Sequence, residues 1–504
     1  MNAALIGRVR ALRALKIRTA GPAVPPYLAL VVAAVSVVAG GCTLAPKYER
    51  PAMPVAASWQ ETTVSRAPGQ DGLAAQAAVV AAPDIGWQEF FGDARLKELI
   101  RIALANNRDL RVAALNVEQV RAQYRIAQLA FIPTLDANGS MARSRTSGDL
   151  SRSGRPETGT TYSVSADVSS YELDFFGRVQ SLRNQALEFY LATEEAQRSA
   201  HLSLISEVAR QYLNQRAIAE ELRLAEDTLK AVESSRRIAE RRHEVGAASR
   251  LDLATAESQV QRARADVSVF RQQLVQADNS LAFLIGQALP ADLPPPAPFN
   301  GQGLIADLSA GLPSDLLQRR PDVLQAEHEL KAANAEIGAA RAAFFPSITL
   351  TAGVGSASDE LSRLFASGTG TWNFIPRVNL PIFAAGQNRA ALEVAQLQKR
   401  IEIARYEQAI QNAFREVADA LVVRARVGEQ IDAYDALVAA QQDRYRLTEV
   451  RYRQGIDSYL AVLIAQQDLY AAQQSQIRIR LASYTNLVAL YRALGGGWNQ
   501  TSPR

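Results

Sequence analysis

A chain of 504 residues, 48% hydrophobic and 21% charged, is too apolar for a disordered polymer and long enough for several domains or one elongated one. Five of its 55 basic residues (Arg8, Arg10, Arg13, Lys16 and Arg18) stand in residues 1–41, where there is no acid, so the rest carries 50 basic residues against 51 acidic ones. The high pI therefore belongs to the leader and gives no reason to expect a nucleic-acid partner, and the lone cysteine, Cys42, excludes an intrachain disulfide.

The leader has a basic start, an apolar run over about 27–38 and the small residues Ala39-Gly40-Gly41, the pattern of a secretory signal over 1–41. The run falls short of the ~20 apolar residues of a transmembrane helix. Small residues directly before a cysteine resemble a bacterial lipobox. Cleavage would make Cys42 the first mature residue, carrying an N-acyl and an S-diacylglycerol lipid, although Ala39 stands where lipoboxes prefer Leu or Val. Thr43 in place of Asp at the second mature position implies export to the outer membrane. A plain signal peptide with an incidental cysteine is the alternative. The proline-rich stretch that follows predicts an extended tether with slack to reach a bilayer, within a segment 42–83.

All 21 prolines lie outside two windows, 157–289 and 382–502, which predicts very long helices there. The glycines repeat at one offset: Gly177, Gly246 and Gly286 return 209 residues later as Gly386, Gly455 and Gly495. Arg242 and Arg451, Ser249 and Ser458, and Leu281 and Leu490 keep the same spacing. This is a tandem duplication of one ~200-residue unit. The first repeat, 84–289, is predicted to hold a helix pair, strands at about 133–145 and 160–174, and helices at about 177–245 and 249–288. A proline-rich connector follows at 290–312. The second repeat, 313–498, has strands at about 346–356 and 371–382, helices at about 386–454 and 458–494, and then a tail, 499–504. The shorter helices carry heptad seams, Leu253-Val260-Val267-Leu274-Leu281 and Leu463-Tyr470-Ile477-Tyr484-Tyr491, as expected of coiled-coil packing.

The strand segments alternate. Tyr162, Val164, Ala166 and Val168 alternate with Thr161, Ser163, Ser165 and Asp167, and Ile348, Leu350, Ala352 and Val354 alternate with Ser347, Thr349, Thr351 and Gly353. One apolar and one polar face over roughly 9–11 residues suits a membrane barrel with a wet lumen, ordinary soluble hairpins being the alternative. Four strands cannot close such a barrel, for which ~8 is the practical minimum, and open edges are not tolerated in lipid. Several chains must therefore share one barrel; three would give twelve strands and an open pore.

The duplicated strand–long-helix plan, the string "LPSDLLQRRPDV" at 312–323, Phe344-Phe345-Pro346 and the two Arg-x-x-x-Gly turns together resemble the TolC-like outer-membrane factors. The lipobox is similar to that of their OprM/NodT lipoprotein branch. The resemblance implies an α+β membrane protein, a homotrimer whose twelve-stranded β-barrel in the outer membrane continues into a periplasmic α-helical barrel. It implies a lipid-anchored exit duct with a large periplasmic portion. Such a duct serves a tripartite system, joined by a periplasmic adaptor protein to an inner-membrane transporter of the RND or ABC type. It would place Arg242, Val245 and Gly246, with Arg451 and Gly455, at adaptor-contact tips, and it would put the proline connector and both termini, with the segment 42–83, in an equatorial wrap. Family members often close the periplasmic aperture with an acidic ring in a Leu-Asp-Ala-Gln string. Here the matching string is Leu463-Ile464-Ala465-Gln466, so Ile464 replaces the acid and Asp252 and Asp457 remain as candidates. Asp252 reads equally well as an ordinary helix-start residue.

No catalytic constellation is visible. His201, His243 and His328 lack a second ligand at metal-site spacing, and there is no P-loop and no GxSxG string. Arg319-Arg320 reads as a structural pair for Asp315 or Asp322. The expectation is a passive duct without enzymatic activity, metal or soluble cofactor. Type I protein secretion and a non-channel coiled-coil lipoprotein are the competing readings.

Overall fold

A computed structural model describes residues 43–56, 82–306, 308 and 316–498. Cys42, the leader, residues 57–81 and Asp315 lie outside them. The elements are α1 (Trp87–Phe90), α2 (Ala94–Asn106), α3 (Arg108–Leu129), β1 (Asp136–Thr146), β2 (Glu157–Leu173), α4 (Arg178–Glu244), α5 (Arg250–Ile285), α6 (Leu316–Arg319), α7 (Pro321–Ala342), β3 (Ser347–Ser358), β4 (Gly370–Asn379), α8 (Gln387–Arg453) and α9 (Tyr459–Ala493). They divide between a sheet unit, built on residues 135–180 and 345–380, and a helical unit holding 45–134, 181–344 and 381–504.

The long helices α4 and α8 each have 67 residues, about 100 Å at ~1.5 Å per residue, and their ends differ by the repeat offset. In α5 the predicted seam is buried at Leu253, Val260, Val267 and Leu281, with Ala256, Ala263 and Ala277 beside it; Leu274 is half-buried. The core of the helical unit gathers α2, the middle of α4, the middle of α8 and the end of α9. Phe90 stacks on Tyr491 at 3.9 Å between ring centroids, and the Tyr491 hydroxyl donates to the Ile85 carbonyl at 2.6 Å. Buried Asp93 caps α2 by accepting from the Arg95 amide at 2.7 Å, and it also accepts from the Tyr212 hydroxyl and the Ala297 amide. One carboxylate thus fastens the connector to the first repeat.

Arg320 pairs with Asp322 at 2.6 Å, and Arg319 with Asp84 at 3.2 Å. The second Arg320 partner, Glu416, 96 positions away on α8 at 3.0 Å, leaves no trace in the residue pattern.

The slack tether expected directly after Cys42 is corrected for the described residues. Arg50 donates to Glu327 at 2.8 and 2.9 Å and Tyr48 donates to it at 3.2 Å, while Lys331 lies 3.3 Å from the same carboxylate. Asn334 donates to the Pro46 carbonyl at 2.7 Å, and a Cβ on Gly338 would stand 2.8 Å from the Ala45 nitrogen. The physical reason is Glu327, whose side chain is 3% exposed: a buried carboxylate needs donors, and the N-terminal segment supplies them. Burial pushes this carboxyl up, but the Arg50 hydrogen bonds and the Lys331 charge outweigh it and hold it below its ordinary value of 4.5. The native value is depressed, so the pairing stabilises above the unfolded value and is lost as pH falls through the native one. Arg50→Ala is expected to cost about 1–3 kcal/mol and to open residues 43–56 to limited proteolysis at neutral pH. Unaltered protection of that segment would contradict the clamp.

The sheet is antiparallel in the order β1-β2-β3-β4, so the two repeats contribute adjacent hairpins. Residue pairing puts Asp136, Asp167, Gly353 and Asn373 in one row across all four strands. On that polar face Ser140 and Ser163 are 2.7 Å apart and Asn138 donates to Asp167 at 3.2 Å. The other face carries Met141, Val164, Val354, Trp372, Phe374 and Val378, all exposed. Strand limits differ from the predicted ones at both hairpins. β2 begins earlier, at Glu157, and accommodates an irregularity between Val168 and Tyr171, with Ser170 at φ 53°. β4 ends at Asn379, opposite Ser347, the first residue of its partner β3. β1 and β4 each have one hydrogen-bonded neighbour among the described strands.

Candidate functional site

The proposed contact residues converge on two turns, 245–249 between α4 and α5 and 454–458 between α8 and α9. Both long helices end in the same way. The Ala247 amide donates to the Arg242 carbonyl at 2.7 Å, and the Ile456 amide to the Arg451 carbonyl at 2.9 Å. This six-residue closure needs a left-handed residue just past the helix end, and Gly246 (φ 76°) and Gly455 (φ 78°) occupy that position. A Cβ on either glycine would meet nothing within 4 Å, so backbone conformation, not crowding, selects glycine here. Val245 is 78% exposed beside the first turn.

The side chains break the symmetry of the backbone. Asp252 sits at the third position of α5 and accepts from the Ser249 amide at 3.1 Å and its hydroxyl at 2.8 Å, while the Asp252 amide donates to Ser249 Oγ at 3.0 Å. The helix-start reading of Asp252 therefore holds: it completes a capping box. The second turn has Ser458 as cap, donated to by the Ala461 amide at 3.4 Å, and lacks the reciprocal acid. Asp457 accepts instead from both Arg451 nitrogens, at 2.7 and 2.9 Å, and this fork holds its carboxyl below the ordinary range. The two acids thus sit on separate turns, each engaged by its own hairpin. Ile464 is 42% exposed on α9, between buried Leu463 and Ala465.

Two residues that sequence reasoning passed over join the hairpins. Tyr459 is buried against Ala239 of α4 and Ala256 of α5, and burial pushes its phenol up to about 12. Tyr452 lies beside it at 5.6 Å between centroids, and the Arg242 guanidinium stands 4.8 Å from the centre of the Tyr452 ring. The available signal was complementarity of size: alanines on the first hairpin face tyrosines on the second. Above the tips, Gln467 donates to Gln259 at 3.2 Å beside a cleft of about 240 Å³ lined by Val232, Ala263, Leu463 and Tyr470.

Removing the reciprocal cap by Asp252→Ala should cost about 1 kcal/mol at the start of α5 and speed amide exchange over 250–256. Exchange unchanged from wild type would argue against the capping role.

The histidines serve packing and turn geometry. His243 Nδ1 lies 3.0 Å from the Ala248 carbonyl, His328 is 2.6 Å from Glu188, and half-buried His201 meets the Trp498 ring. Among the described residues no group of histidine, cysteine and acidic side chains is placed to hold a metal.

The family model described as outer membrane efflux protein matches residues 99–287 and 312–496, one segment on each repeat. This chain belongs to the outer membrane efflux protein family. It is 49% identical over 469 residues to the toluene efflux pump outer membrane protein TtgC of Pseudomonas putida, covering 93% of this chain and 95% of the relative. It is 42% identical over 465 residues to the cation efflux system protein CusC of Escherichia coli, covering 91% and 96%. Among solved structures, the open state of the Neisseria gonorrhoeae MtrE outer membrane channel superposes with a TM-score of 0.82 at 40% identity, over 92% of this chain and 100% of that one. In this family member the two turns and the alternating sheet fall inside the matched segments.

Proposed function

We infer that the chain is the outer-membrane channel of an efflux pump and that it works as a homotrimer. The observation that carries the reading is the sheet: four strands with an exposed apolar face, a polar face opposite and an edge at each end without a neighbour among the described residues. In a bilayer such edges must be paired, and three copies give twelve strands around a wet lumen. The long helices contribute a periplasmic duct, and their turns at Arg242–Gly246 and Arg451–Gly455 receive a periplasmic adaptor protein. An inner-membrane transporter of the RND or ABC type supplies the energy.

Substrate choice lies with that transporter. Relatives named for toluene and for cations share 49% and 42% identity with this chain, although the two cargoes have no common chemistry. A lumen presenting Ser140, Ser163, Asn138 and Thr351 offers hydration more than selectivity. At the aperture, with Asp252 and Asp457 engaged locally, closure rests on the apolar surface around Ile464 and on the Arg242–Tyr452 contact. The mature chain begins at Cys42 and is lipidated there.

Purified protein in planar bilayers should give trimeric channels with stepwise conductance; trimers without a pore would defeat the reading. Cys42→Ser should abolish incorporation of labelled palmitate, and a variant that still takes up the label would refute the lipid anchor.

A further inference from the structure

The outward, apolar face of the sheet carries only two charged residues. Pairing places Met141 opposite Tyr162, Arg143 opposite Thr160 and Arg145 opposite Thr158, so both arginines share the face of Val164 and Val354. They stand together at the loop end of β1. No acid accompanies them: Glu157 pairs with Thr146 on the polar face and is held by Ser153 and Ser151. Both arginines are exposed, and neither makes a side-chain hydrogen bond or ion pair among the described residues.

Their height is what gives them meaning. From the Tyr162 row to the Leu173 row the apolar band spans twelve residues of β2, eleven steps along the chain, one of them absorbed by the irregularity near Ser170. At ~3.3 Å per residue and a tilt near 40° that is roughly 25 Å, the height of the apolar belt of an outer-membrane barrel. Arg143 lies one outward position beyond the band and Arg145 two, about 5 and 10 Å further along the axis, at the depth of the lipid headgroups. A bare guanidinium pair at that depth lacks its counter-charge. A phosphate accepts two parallel N–H bonds from an arginine fork and supplies that charge.

The geometry points to Arg143 and Arg145 as a binding site for the phosphate-bearing headgroup of an outer-leaflet lipid, whose acyl chains lie along Met141 and Val164. The assignment rests on the membrane-channel reading. It differs from that reading in naming a specific lipid class and the two side chains that hold it. In the trimer the site is repeated three times around the barrel rim, beside each junction between subunits.

The test uses full-length protein in detergent and native mass spectrometry, with diphosphorylated lipid A and its dephosphorylated form as probes. Wild type should retain the phosphorylated lipid at least about tenfold better than the dephosphorylated one. R143Q/R145Q should lose that preference, while R143K/R145K, which keeps charge without the fork, should fall between. Equal retention of the two lipids by wild type, or an unchanged preference in R143Q/R145Q, would overturn the site. Displacement of the lipid by millimolar inorganic phosphate would reduce it to an anion site and overturn the lipid assignment. The wild-type comparison stands even where a variant fails to fold. Conductance measured on the same preparation separates the two readings. An intact channel without lipid discrimination defeats this site alone, whereas absence of trimer and pore defeats the channel and the site together.

Discussion

Replacing Arg320 by alanine is expected to cost the helical unit about 3–5 kcal/mol, a large share of the stability of a folded domain. The side chain is 8% exposed and meets three elements at once. It donates to both Asp322 oxygens at 3.0 and 2.6 Å at the start of α7, to Glu416 of α8 at 3.0 Å, and to the Ala493 carbonyl at the end of α9 at 3.0 Å. Alanine would leave an acceptor at the α9 terminus unpaired and strand Glu416 with only Arg492, 3.5 Å away. Arg320→Lys keeps the charge but cannot reproduce the fork, so it should fall between wild type and alanine. Thermal unfolding followed by circular dichroism gives the comparison. A midpoint for Arg320→Ala equal to that of wild type would show that the cluster is dispensable.

The second large effect is on transport with little effect on folding. Gly455→Val and Gly246→Val each force a β-branched residue into a left-handed conformation, at a local cost of about 1–2 kcal/mol or somewhat more. No atom lies within 4 Å of the new Cβ, so the disturbance stays in the turn. Trimer yield and bilayer conductance should therefore match wild type. Efflux in a strain lacking the endogenous channel should fall toward the empty-vector level, because the proposed adaptor contact depends on the closure at Arg242 or Arg451. Full efflux by both variants would remove the turns from the adaptor contact. A misassembled trimer would instead assign Gly246 and Gly455 to folding.

The contrast between these two sites shows what sequence pattern carries. The 209-residue offset placed the helix-ending glycines of both repeats, and both long helices end one residue before or after the predicted limits. Alternation identified β2 and β3, because one face of each is apolar and the other polar whatever its neighbours. Single side chains were harder. Asp252 and Asp457 share an acidic character in the sequence, yet one completes a capping box and the other pairs with the arginine six positions before it. Spacing favours such local partners, and a ring of acids from three copies would compete with them.

Residue pattern alone set the duplication, the element order, the one-sided strands that call for assembly and the backbone form of both turns. These are local properties, fixed by residue period and by glycine and proline at fixed positions. The long-range partners emerge only when the chain is packed. Glu327 receives Arg50 from 277 residues away, Glu416 receives Arg320 from 96 away, and Tyr459 finds its alanines on the other hairpin. The physical reason is that a buried charge or ring is stabilised by whatever the packed chain brings within about 3–4 Å, and chain separation leaves no periodic trace of that encounter. The pairing of Arg143 and Arg145 with the apolar face belongs to the same class. Their spacing alone puts Arg143 and Arg145 on the face of Met141, but only the register of β1 against β2 showed that face to be the one of Val164 and Val354.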